Sequence, residues 1–79
     1  MRRIKMLWDF RGPEAVKIAE HHQIHLKEYI KSEQIVNAET GTETISEMYS
    51  IAFMIVNESD VIKLRQALKP HRGQLFKTN

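Results

Sequence analysis

No cysteine occurs in the 79 residues, which excludes disulfides, thiolate nucleophiles and every cysteine-based metal or cluster site. Glycine and proline are also scarce, three and two residues, and their spacing builds neither a glycine-rich phosphate loop nor a Gly-x-Gly-x-x-Gly fingerprint. No serine stands in a nucleophile-elbow context. No stretch approaches the roughly 18 apolar residues of a membrane span, and the opening Met-Arg-Arg-Ile-Lys holds no apolar signal core. The sequence therefore predicts a soluble, cytoplasmic protein with no membrane partner. Neither sign of charge dominates: 12 Lys and Arg against 10 Asp and Glu leave +2. Basic residues gather at both ends (Arg2, Arg3 and Lys5; Lys69, His71, Arg72 and Lys77), but acidic residues are interspersed between, so the contiguous basic face of a nucleic-acid binder is not expected.

What is present centres on Gly12 to Lys31, which reads as one long helix holding three of the four histidines. Gly12-Pro13 is a start signal, because proline at the first helical position gives up an N–H that would have no partner there. Stepping about 100° per residue, Ala15, Ile18, Ala19, Leu26, Tyr29 and Ile30 fall on one apolar stripe. His22 lies near its middle and is expected as a packed side chain. His21 and His25 lie one turn apart on a flank, where both imidazoles could reach one divalent ion such as zinc, nickel or copper, with Glu28, Glu14 or a residue from another chain completing the set. The glutamate that acts as general base in the helical metalloprotease motif is replaced here by the His22-Gln23-Ile24 sequence.

Elsewhere the pattern is mostly that of strands. Arg3 to Phe10 alternates, with Ile4, Met6, Trp8 and Phe10 on one face. Ile35 to Thr40 reads as a polar edge strand, with Gly41 and the Thr/Glu-rich stretch to Glu47 as the turn, although Thr42, Thr44 and Ile45 could extend either strand. Met48 to Val56 is apolar on both faces, as a central strand is. Asn57-Glu58-Ser59-Asp60 supplies capping residue types before a helical Val61, Leu64, Ala67 and Leu68 spacing that Pro70 ends. Gln74 to Lys77 is a short closing strand. A chain this short makes one domain, residues 1–79, with a small core.

The order β-α-β-β-α-β resembles the ferredoxin-like sandwich, an α+β fold in which a four-stranded antiparallel sheet carries two helices on one face. The predicted helix-covered set is Ile4, Met6, Trp8, Phe10, Tyr49, Ile51, Phe53 and Ile55. That leaves Leu7, Ala38, Ser50, Ala52 and Met54, with Val36, on an open face beside Lys5 and Asp9. Small and apolar residues exposed together call for a cover, so a homodimer formed through Leu7, Ser50, Ala52 and Met54 is expected. RNA binding is disfavoured because this assignment turns Tyr49 and Phe53 toward the helices.

Asp9-Phe10-Arg11-Gly12-Pro13 opening a helix, with Ser50 to Val56 leading into Asn57-Glu58-Ser59-Asp60, resembles the ligand-sensing ACT domains. That resemblance implies an oligomer with a small-molecule or anion site near Arg11 and Gly12. Dimeric α+β barrel proteins, some of them enzymes, resemble the chain equally; on that pattern His22 or Asp9 would carry a proton. The leading expectation is a non-catalytic oligomeric module that binds a small ligand or protein through its open sheet face. The alternatives are a divalent-metal protein using His21 and His25, and a small enzyme of the barrel type.

Overall fold

The computed structural model describes residues 2–77. Strand β1 (Arg3–Arg11) leads into helix α1 (Ala15–Glu33), followed by β2 (Glu39–Ser46), β3 (Tyr49–Asn57), a 3₁₀ turn (Glu58–Asp60), helix α2 (Val61–Leu68) and β4 (Arg72–Phe76). The strands form one antiparallel sheet in the order β2-β3-β1-β4. The protein is thus α+β, with the first and third strands central. Residues of both helices, Ala19, Leu26 and Leu64, share one core with Met6, Trp8, Ala52, Met54 and Val56, so both lie on the same side of the sheet.

Gly12 makes the strand-to-helix turn possible, since its φ of 119° is costly for any residue with a Cβ. Its N–H donates to the Met48 carbonyl at 2.8 Å, and Pro13 and Glu14 form a turn before the helix proper. At the far end Gln34 takes the left-handed conformation, and the Ile35 N–H closes on the Ile30 carbonyl at 3.1 Å, which stops the helix as a C-cap does. Asn37 is left-handed as well. Two such residues around Ile35 and Val36 prevent the expected strand there. The second strand lies later, where Thr40, Thr42 and Thr44 alternate with Glu39, Gly41 and Glu43, so Gly41 sits inside the strand instead of opening a turn.

The register of β1 with β3 also corrects the assignment of faces. Met6 pairs with Met54, Trp8 with Ala52 and Phe10 with Ser50, while Leu7 pairs with Phe53, Asp9 with Ile51 and Arg11 with Tyr49. Directly opposed residues share a face. Ser50, Ala52 and Met54 therefore turn toward the helices and are 1% exposed or less; they form no dimer face with Leu7. Ala38, expected on the open side, packs at the rim of the helix-side core. Tyr49, Ile51, Phe53 and Ile55 occupy the open side. The physical reason is space: α1 offers Ala15 and Ala19 to the sheet, and so close an approach leaves room for Ser50, Ala52 and unbranched Met54, not for two aromatic rings.

Met54→Glu places an unpaired carboxylate in this core, at a cost of several kcal/mol that matches the whole stability of a small domain. Circular dichroism is expected to show an unfolded chain for Met54→Glu and a folded one for Phe53→Glu, its neighbour on the opposite face.

Candidate functional site

The open face is laced with charge. Lys5 Nζ meets Glu43 Oε1 at 2.5 Å and lies 4.4 Å from the centre of the Phe53 ring. That ring covers Gly41, where any Cβ would collide with it. Arg3 donates to Glu39 Oε2 at 3.1 Å, to Asn57 Oδ1 at 3.3 Å and to the Asn37 carbonyl. Beneath these groups Leu7, Ile51 and Ile55 are at most 5% exposed. Surface ion pairs contribute only about 0–1 kcal/mol each, whereas burying side chains of this size contributes about 1.5–3 kcal/mol each. The lattice therefore matters chiefly through the aliphatic stems it holds over the apolar stripe.

One end of this face gathers a tighter polar group. Asp9 accepts two hydrogen bonds from Arg72, at 2.9 and 3.1 Å, and a third from the Tyr49 hydroxyl at 2.5 Å. Arg72 holds the Asp9 carboxyl below the usual range, with the Tyr49 hydroxyl adding to the effect against the opposing influence of burial. In return the carboxylate raises the Tyr49 phenol. The Asp9 N–H donates to His71 Nδ1 at 2.8 Å. That nitrogen then carries no proton, so its 3.9 Å approach to the Asp9 carboxylate is not an ion pair. The cluster ties the start of β4 to β1 and β3. Arg11, which could have paired with Asp9, instead lies 3.9 Å from the centre of the Tyr49 ring.

His22 sits on the other side of the sheet. Its ring centre is 5.0 Å from that of Trp8 and 5.4 Å from that of Phe10, and its buried Nε2 has no partner among the described residues. Burial pushes the imidazole below its ordinary value. Trp8 Nε1 donates to the Leu68 carbonyl at 3.0 Å, fastening α2 to β1. Since Asp9 faces the open side and His22 the helices, the two form no acid–base pair.

The structure does bring His21 and His25 together, with Nε2 atoms 3.0 Å apart. Glu28 lies 3.2 Å from His25 Nδ1, so it engages the ring nitrogen opposite the pair instead of completing a three-ligand set. Among the described residues no group of three His, Asp or Glu converges on one point. At Arg11 and Gly12 the glycine N–H is occupied by Met48, which leaves the anion expectation only the stacked guanidinium.

A concave region lies elsewhere, and no sequence pattern announces it. Between α2 and β4 runs a groove of about 490 Å³, with Ile4 and Met6 at its floor and Val61, Arg65, Gly73 and Leu75 along its walls. Eight-residue α2 is anchored through Leu64 and leaves Leu75, on the same side, 45% exposed. Gly73, paired with Met6, adds no side chain to fill the space. β4 begins at Arg72, earlier than the expected Gln74, which puts Arg72 and Gly73 on the strand.

Two measurements check this electrostatic reading. Because the folded chain holds His22 less readily protonated than the unfolded chain does, the unfolded state takes up more protons on acidification. Its contribution to stability is present above about pH 6.5 and is lost as pH falls. Thermal melts are expected to show a smaller decline in Tm between pH 7.5 and 5 for His22→Phe than for the native chain. Asp9→Asn is expected to cost about 1 kcal/mol and to accelerate amide exchange in β4 ahead of β3. Compared with known protein families, curated proteins and solved structures, the chain matches none.

Proposed function

We propose that this protein is a small non-catalytic binding module of ferredoxin-like arrangement whose binding surface is the groove between α2 and β4. The strand order with β1 and β3 central and both helices on one side supports the arrangement. The observation that carries the site is half-buried Ile4 left open beside a half-exposed Leu75, above a Met6 that is itself buried, since an apolar cleft edged by a few charges is what small ligands and peptide side chains enter. The open sheet face is the weaker candidate: its apolar residues are already covered by Lys5, Arg3 and their partners, so the need for a second copy falls away. Tyr49 and Phe53 do lie on that face, opposite to expectation, but each ring is already met by a cation.

A Cβ at Gly73 would meet nothing closer than 3.8 Å, so a large side chain there can fill the groove without straining the strand. With 4-phenylbutyrate as an apolar probe carrying one negative charge, methyl NMR is expected to show shifts at Ile4, Val61 and Leu75. Gly73→Phe is expected to abolish them while leaving the protein folded. Shifts confined to Leu7, Ile51 and Ile55, or none at millimolar probe, would overturn the assignment.

A second reading is supported by the imidazole pair. Glu28 holds His25 through the nitrogen opposite the pair, the role an outer carboxylate plays behind a metal-bound histidine. His21 and His25 are thereby set to take an exchangeable divalent ion whose other positions are filled by water. Zinc is expected to raise Tm in the native chain and not in His21→Ala; equal shifts in both would remove the site.

A further inference from the structure

From the same groove, and resting on the reading of it as the binding surface, we infer that the partner is an acidic, extended peptide segment that adds to β4 as a fifth strand. Three observations meet there. The first is backbone supply. The Gly12 N–H bonds to Met48 and the Glu58 N–H to Arg2, so even-numbered residues of β1 spend their backbone groups on β3 and odd-numbered ones on β4. With Arg3 opposite Phe76, Lys5 opposite Gln74 and Leu7 opposite Arg72, the amides of Gly73 and Leu75 are left pointing away from the sheet. β4 ends the strand order, so no further strand covers them among the described residues.

The second observation is the groove itself. A strand laid beside Leu75 sends alternate side chains toward the helix side, where half-buried Ile4 and Val61 form an apolar receptacle over buried Met6. Main-chain bonds along an edge combined with pockets for alternate residues are the recognised basis of strand addition. The third is charge. Arg65 lines the groove, and Lys69 lies beside it in an adjoining concavity that Arg65 also lines. Neither has an ion-pair partner among the described residues. The one carboxylate of the groove, Glu58, lies 3.5 Å from Arg2. A second copy of this chain would bring the same cations against themselves, whereas carboxylates on an extended segment would meet them. The opposite edge is less suited: β2 has an irregular register between Thr44 and Ser46 and carries Glu39 and Glu43, which blunt pairing and repel acid.

The test is fluorescence anisotropy with a labelled octapeptide Val-Ser-Glu-Ser-Val-Ser-Glu-Ser, whose valines and glutamates share one face of a strand, run beside its counterpart with lysine in place of glutamate and a form N-methylated at every residue. Only the unmethylated acidic peptide is expected to bind. Arg65→Glu combined with Lys69→Glu is expected to weaken it by about tenfold or more, as is Leu75→Pro, which removes an outward N–H but no bond to β1. Undiminished binding of the N-methylated peptide, or equal binding of the lysine counterpart, would overturn the inference even if Leu75→Pro failed to fold. Absence of peptide binding while 4-phenylbutyrate still perturbs Ile4, Val61 and Leu75 would overturn strand addition alone. Failure of both probes would overturn the groove as well.

Discussion

The pairing of Leu7 with Phe53 across β1 and β3 is the constraint on which the rest of the structure depends. Side chains alternate with period two, so a slip of one residue would move every member of β3 to the other face. In the observed register Ala52, Met54 and Val56 meet Leu26 and Leu64, while Tyr49 and Phe53 meet Arg11 and Lys5. The division is fixed by volume on the helix side. Two alanines of α1 bring the helix close, and only small or flexible side chains fit beneath it.

From that division follows the character of each surface. Bulky apolar residues displaced to the side without helices need a cover, and the alternating charges of β1, with Glu39, Glu43 and Arg72 from the outer strands, supply it. The Asp9 cluster is the tightest part of this cover and also binds the short edge strand to the sheet. On the helix side the chain has less to spend. α2 has eight residues, enough to place Leu64 in the core and too few to roof β4, so a cleft persists beside an edge whose outward amides are unpaired by any described strand.

Much of this was legible in the sequence. The period-two pattern of Arg3 to Phe10, the helical spacing of Ala15 to Ile30 and the stop at Pro70 were sufficient to order the elements, because each signal is local. The packed position of His22 followed from the same spacing. The faces of β3 were not legible: a strand apolar on both sides gives no local preference, and side-chain size alone does not show how near α1 comes. The second strand was displaced by reading Gly41 as a turn, when it is the floor beneath the Phe53 ring. Arg72 with Asp9, and Arg65 with Leu75, are pairs brought together only by the closing of the sheet, and no spacing announces them.

The most direct measurement is a set of through-space proton contacts from the Phe53 ring and the Met54 methyl in solution. The expected result places the Phe53 ring against the Gly41 α-protons and the Lys5 side chain, and the Met54 methyl among Leu26 and Trp8. Contacts from the Phe53 ring to Ala19 or Leu26, with Met54 near Lys5, would reverse the faces and contradict the account.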